Sequence, residues 1–210
     1  MPAPPFDLKA ACAHLAKRDR TLARMMREVG PCRLEISARQ SPYQALFESI
    51  VYQQLSGQAA ATIYARVCKL FGSRRCPSPA KIADAPLELL RSAGLSRSKA
   101  EAVQDLAFHA LDGEIPTRAR AERMDDDEIV DRLTAVRGVG RWTVEMFLIF
   151  SLGRPDVLPV DDYGVKKGYA QTFGRRVLPK PKELAQHGER WRPYRTVASW
   201  YLWRANDEPA

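Results

Sequence analysis

Two short stretches of this 210-residue chain carry residue types that could do chemistry. In "LTAVRGVGRWTVEMF", Leu133 to Phe147, Arg137 and Arg141 bracket Gly138, Val139 and Gly140, and an apolar run follows at once. Two glycines in such a join permit backbone angles that a β-carbon forbids, and they let the main chain approach another surface closely. The turn also precedes a helix start, where unpaired N–H groups and the helix dipole favour an anion. Arginines beside that point add positive charge, and a phosphate is the matching ligand, held without any reading of sequence. The same residues also describe a tight helix–helix corner with solvated arginines, because an isolated G-x-G has little specificity.

The second stretch is "PVDDYG", with Asp161 and Asp162 side by side before a helical pattern. Adjacent carboxylates there serve as N-caps, the commonest use of Asp at such a place. A carboxylate kept ionised by the helix dipole also suits electrostatic stabilisation of a developing cation better than it suits acid catalysis. Trp142 and Trp203 are aromatic residues that either pack in a core or stack on a planar ligand. His14, His109 and His187 lie on separate helical segments and form no ligand motif.

These groups need a scaffold, and the sequence supplies a helical one. Asp7 caps "FDLKAACAHLAKRD", and Ser41 with Pro42 opens "SPYQALFESIVYQQLS". "GQAAATIYARVCKLFG" ends at Gly72, "SPAKIADA" and "PLELLRSAG" each open with a proline, and a helix runs from a Ser96 cap to a Gly113 stop. "DDDEIVDRLTAV" sets acids in its first turn, the apolar helix covers Arg141 to Leu152, "VDDYGVKKGYAQTFG" is helical, and the tail forms two more helices. "PTRARAERMDDDE" reads as a solvated linker face. The expected fold class is therefore all-α, with about ten helices and no strand pattern. Apolar content of 45% supports a real core, and the balance of 33 Lys+Arg against 25 Asp+Glu, net +8, favours a polyanionic partner such as nucleic acid. Cys12, Cys32, Cys68 and Cys76 are scattered, with no C-x-x-C spacing, as in a reduced cytoplasmic protein. The N-terminus has no apolar signal core and "MFLIFSL" is too short to span a bilayer, so a soluble cytoplasmic protein is expected, nucleoid-associated in a prokaryote.

The order of "SPYQALFESIVYQQLSGQAAATIYARVCKLFG", "AGLSRSKAEAVQDLAFHALDGEIP", "LTAVRGVGRWT", "VLPVDDYGVKKG" and "RWRPYRTVASWYLWRA" resembles the helix-hairpin-helix (HhH-GPD) DNA glycosylase superfamily. Within it, the chain is most similar to the DNA-3-methyladenine glycosylase II branch, over roughly Ser41 to Ala205. The resemblance implies two helical lobes with an active-site cleft between them: 42–154 with the wedge loop and hairpin, and 1–41 together with 155–210 carrying the catalytic aspartate and the C-terminal tryptophan. It selects Asp162 as the single essential carboxylate, which stabilises a cationic sugar and orients water, and leaves Asp161 beside it as a helix cap. Arg137, Gly138, Val139, Gly140 and Arg141 become DNA-backbone contacts.

The same resemblance implies a base pocket and a wedge. Trp142 and Trp203 match pocket tryptophans, with Tyr52 and Tyr163 as further candidates. Met146 stands where the best-known member has an aromatic residue, and Arg204 stands where it has a tyrosine. The pocket is therefore less aromatic, which extends the expected lesions from 3-methyladenine and 7-methylguanine towards 1-methyladenine and 3-methylcytosine. Glu145 faces either the pocket or solvent. Bifunctional members carry a lysine two residues after the second glycine; Trp142 in its place implies a monofunctional enzyme. The segment "YQQLSGQ" matches the wedge that fills the gap left by a flipped base, with Gln54 at the wedge position, Leu55 beside it and Gln53 placed to contact the opposite strand; the same polar residues could simply end a helix. The resemblance implies no required cofactor beyond a monovalent cation at the hairpin, and a monomer acting on double-stranded DNA that contains alkylated bases. Two alternatives stay open: a non-catalytic helix-hairpin-helix module that only grips DNA, and a superfamily glycosylase for a different damaged base.

Overall fold

A computed structural model of the chain describes residues 3–37, 40–73 and 75–207. The regular structure among them is helical throughout. In chain order the helices are α1 (Leu8–Arg18), α2 (Arg20–Val29), α3 (Pro42–Tyr52), α4 (Gly57–Leu70), α5 (Pro79–Ala83), α6 (Leu87–Ser92) and α7 (Arg97–Leu111). They continue with α8 (Arg118–Ala121), α9 (Asp126–Thr134), α10 (Arg141–Phe147), α11 (Tyr163–Thr172), α12 (Pro181–Gly188) and α13 (Arg195–Arg204). A π-helical turn, Leu148–Leu152, follows α10 directly, and a 3-10 turn, Glu189–Trp191, follows α12. The all-α expectation holds. No helix among the described residues is long and apolar enough to cross a membrane.

The chain divides into two compact units, one formed by Arg39–Phe147 and the other by Met1–Ala38 together with Leu148–Ala210. The expected division at 42–154 therefore shifts at its far end, because Leu148–Leu152 leaves α-helical geometry and belongs with the discontinuous unit.

The contiguous unit is organised around α7, which packs on α3, α5 and α6. Phe47, Ile50, Ile82, Leu90, Val103, Leu106 and Phe147 are buried there. Its helix starts obey the local signals. The Ser41 hydroxyl accepts the Gln44 N–H while the Gln44 side chain accepts the Ser41 N–H, and Ser56 and Ser96 cap α4 and α7. The segment expected as a solvated linker contains a short helix, α8, because Thr117 caps it and Ala121 is buried.

In the discontinuous unit, α1, α2 and the C-terminal helices share a core of Leu15, Leu22, Met26, Tyr169, Leu184, Trp191, Tyr201 and Leu202. The α2 helix was not expected from the sequence, although its apolar and charged faces are sharply separated; Leu22, Ala23, Met25 and Met26 are buried. Its start is fixed by Asp19, whose buried carboxylate accepts N–H bonds from Thr21 and Leu22 at 3.1 Å. The other Asp19 oxygen meets His187 Nε2 at 3.0 Å and accepts the Trp191 indole N–H at 3.1 Å. His187 is thus part of a packed polar cluster. Helices α11 and α13 cross very closely: a Cβ on Gly168 would lie 1.8 Å from the Leu202 carbonyl oxygen. The four cysteines are free, and burial pushes the Cys32 and Cys76 thiols up to about 12, which keeps them protonated and unreactive.

Candidate active site

Asp162 is the N-cap of α11, in extended backbone geometry, and its Oδ1 accepts the Val165 N–H at 2.7 Å. The same oxygen accepts the indole N–H of Trp203 at 2.8 Å. Capping and catalysis are therefore not rival uses of this carboxylate; the cap fixes one oxygen and with it the orientation of the whole group. Asp161 precedes the cap and is exposed, so the expectation that it caps the helix falls to its neighbour.

The distance between Asp162 and Trp203 is set by several residues that sequence reasoning did not single out. Arg195, at the start of α13, donates to Asp156 Oδ1 from Nε at 2.8 Å and to the Asp156 carbonyl from Nη2 at 2.9 Å. Thr196 Oγ1 donates to the Arg154 carbonyl at 2.7 Å and accepts the Val157 N–H at 3.0 Å. The loop that leads to Asp162 is therefore strapped to the helix that carries Trp203. Gly164 completes the arrangement, since a Cβ there would meet Trp203 Cδ1 at 2.8 Å. Asn206 Nδ2 donates to the Gly164 carbonyl at 2.8 Å and to the Leu202 carbonyl at 3.1 Å, tying the two helix ends together. Phe150, in the π-helical turn, stacks on Trp203 with ring centroids 5.6 Å apart and an interplanar angle of 30°. A glycine in the first turn of a helix and an aromatic residue in an apolar run were visible in the sequence, but their partners were not.

Tyr163 directly follows the carboxylate and is 66% exposed. Arg204, the residue after Trp203, lies over the Trp200 ring at 5.8 Å and pairs with Asp207 at 3.3 Å.

The contiguous unit carries the remaining candidates. The α9–α10 join is a hairpin turn in which Gly138 has φ +76°, in the left-handed region that L side chains rarely adopt, and a Cβ there would meet Ala102 at 3.2 Å. Gly138 and Gly140 are exposed, whereas Val139 is buried and offers only its backbone to a partner. Arg137 is ordered by α7: its backbone N–H donates to Asp105 at 2.7 Å and its guanidinium pairs with Glu101 at 2.7 Å. Arg141 Nε pairs with Glu145 at 3.1 Å, and Nη2 stands 3.9 Å from Asp127. Glu145 is buried, and this ion pair with Arg141 settles its surroundings more narrowly than the choice between pocket and solvent. Trp142 is 46% exposed, an unusual position for an indole whose only task is packing, while Met146 is half-buried.

Between α3 and α4, Gln53 to Ser56 form a tight turn. Gln54 has φ +56° and is the one non-glycine residue with positive φ among those described. Gln54 and Leu55 are exposed, and Tyr52 is half-buried with its ring 6.5 Å from that of Tyr64. The Gln53 amide donates to the Gly138 carbonyl at 2.9 Å and so reaches the hairpin.

Residues 47–193 match the family described as HhH-GPD superfamily base excision DNA repair protein, and the chain belongs to this superfamily. It is 36% identical over 201 residues to DNA-3-methyladenine glycosylase 1 of Schizosaccharomyces pombe, covering 95% of this chain and 88% of that one. A solved structure of the S. pombe 3-methyladenine DNA glycosylase (Mag1), in complex with abasic DNA, superposes with a TM-score of 0.80 at 37% identity, covering 92% of this chain and 95% of that chain. The structure of a DNA-3-methyladenine glycosidase from Bacillus halodurans gives 0.83 at 36% identity, over 93% of this chain and 88% of that chain.

Proposed function

We propose that this protein is a monofunctional DNA glycosylase that flips alkylated bases out of double-stranded DNA and excises them by hydrolysis, initiating base excision repair. The observation that carries the reading is the fixed Asp162 carboxylate, capped into α11 and held by the Trp203 indole, in a chain of this superfamily.

The chemistry follows from that carboxylate. As the bond between the base and C1′ of deoxyribose breaks, its electron pair leaves with the base and positive charge grows on the sugar. Asp162 stabilises that charge, orients the water whose oxygen bonds to C1′ and accepts the proton that this water loses. An alkylated purine is already cationic, so it departs neutral without a proton from the protein. The products are the free base and an abasic site. Trp142 and Trp203, with Tyr52, Tyr163 and Met146, hold the flipped cationic base by stacking and cation–π attraction. Gln54 and Leu55 fill the gap in the duplex. The exposed backbone at Gly138 and Gly140, together with Arg137 and Arg141, takes the DNA backbone. The family resemblance alone supports a monovalent cation at the hairpin, and no other cofactor is required. The protein acts as a monomer, and with Met146 and Arg204 in place of aromatic residues it also accepts 1-methyladenine and 3-methylcytosine.

The test is free-base release from methylated duplex DNA, followed chromatographically for 3-methyladenine, 7-methylguanine, 1-methyladenine and 3-methylcytosine. The wild-type protein releases methylated bases, and Asp162→Asn, which still caps the helix, binds DNA but releases none. Full turnover by Asp162→Asn, or no release by the wild type, overturns the reading.

A further inference from the structure

The turn assigned above to the wedge is held by a residue outside the site. Lys99, in the first turn of α7, donates from Nζ to the Val51 carbonyl at 2.7 Å and to the Gln53 carbonyl at 2.5 Å. Both acceptors belong to the C-terminal end of α3, where carbonyls have no partner within the helix and the dipole favours a cation. The ammonium thus caps α3 from another helix. Immediately beyond, Gln54 sits at φ +56°, a conformation that costs a non-glycine residue free energy and persists only where its surroundings enforce it. The Gln53 amide supplies a second tether, to the Gly138 carbonyl at 2.9 Å. Lys99 is half-buried, and burial lowers its pKa from the ordinary lysine value. A desolvated ammonium on two carbonyls is an arrangement with a cost, and no carboxylate partner is recorded for it among the described residues.

We propose that Lys99 is a positioning residue for base flipping: by clamping the carbonyls of Val51 and Gln53, it holds the Gln53–Ser56 turn in the strained form that presents Gln54 and Leu55 to DNA. The role rests on the glycosylase reading. Lys99 touches neither base nor sugar, and it acts on the step in which the duplex is opened.

Two measurements on Lys99→Met, which keeps the aliphatic stem and removes every donor, test this. The first needs no DNA. Amide hydrogen exchange at Gln53 and Leu55, whose N–H groups donate to the Ser49 and Tyr52 carbonyls, accelerates by about tenfold or more in the variant while the α7 core amides remain protected. Unchanged exchange at the turn overturns the proposal whether or not the protein proves to be a glycosylase. The second is single-turnover excision from two duplexes carrying the same lesion, one fully paired and one with the lesion in a mispair. Because a mispaired base is cheaper to flip, the variant loses about tenfold or more on the paired duplex and no more than about threefold on the mispaired one. Lys99→Arg restores both. Equal losses on the two duplexes, or loss of core protection in both Lys99→Met and the milder Lys99→Gln, mark a merely structural lysine. A wild-type protein that releases no base defeats the glycosylase reading alone, and the exchange measurement still decides the clamp.

Discussion

The indole nitrogen of Trp203 donates to Oδ1 of Asp162 at 2.8 Å, across 41 residues of sequence. A tryptophan expected to stack on a base therefore also orients the carboxylate proposed to do the chemistry. Trp203→Phe keeps an aromatic ring near Phe150 but removes the N–H together with one ring of the indole. Hydrogen bonds to charged groups contribute about 1.5–3 kcal/mol, so the single-turnover excision rate is expected to fall about tenfold to a hundredfold. DNA affinity, measured by anisotropy, should change little.

By the resemblance, Trp142 stands where bifunctional members carry a lysine, so the proposed reaction is expected to proceed through water. Borohydride reduction during turnover should trap no covalent protein–DNA complex on a denaturing gel. A trapped band would point to an amine nucleophile that the site as described does not contain.

The close crossing of α11 and α13 leaves no room for a side chain at position 168. Gly168→Ala places a methyl group against the Leu202 carbonyl, and main chain cannot move aside as a flexible side chain can. The expected cost is about 2 kcal/mol or more of unfolding free energy, read from the denaturant midpoint. Because α11 also carries Asp162, activity should decline together with stability.

Gln54 gives the opposite sign. Gln54→Gly removes the penalty of a left-handed side-chain residue, so stability should hold or rise, by up to about 1 kcal/mol. Excision from a fully paired duplex should nonetheless fall, because a side chain proposed to fill the gap is gone. A stabilised protein with reduced activity separates wedge function from fold.

Asp19 predicts acid sensitivity. Burial by itself would raise its pKa, but the bonds from His187, the Leu22 N–H and Trp191 outweigh this and lower it from 3.8 to about 2. A carboxyl with a depressed native pKa adds stability that is present above its unfolded value and lost as the pH falls through the native one. Thermal stability should therefore drop between about pH 4 and pH 2. Asp19→Asn should flatten that part of the profile while lowering stability at neutral pH, since it leaves the His187 and Trp191 donors poorly matched.

The helices legible in the sequence were those with local punctuation: Asp7, Ser41 with Pro42, Ser56 and Ser96 at starts, and glycines near the ends of α4 and α7. Such signals act over three or four residues, so a linear reading captures them. The resemblance supplied Asp162, Trp142, Trp203 and the hairpin by their order along the chain. What remained hidden is long-range. The strap between Asp156 and Arg195 spans 39 residues, and the bond from Gln53 to Gly138 spans 85. No periodicity encodes which distant polar groups will meet. The α2 helix was legible and was missed: Leu22, Ala23, Met25 and Met26 form a clear apolar face opposite its charges, packed on α1 and α13 and capped by Asp19.

The two compact units differ in how they are drawn from the chain. Arg39–Phe147 is one uninterrupted segment, whereas the other unit joins residues before it to residues after it. During synthesis the Gln53–Ser56 turn and the α9–α10 hairpin are therefore both complete within one unit by Phe147, while α1 and α2 must wait for the later helices that complete their core. Asp162 and Trp203 both belong to that last-assembled part. A chain halted near Phe147 would hold the parts proposed for DNA binding and lack Asp162, the group proposed for hydrolysis.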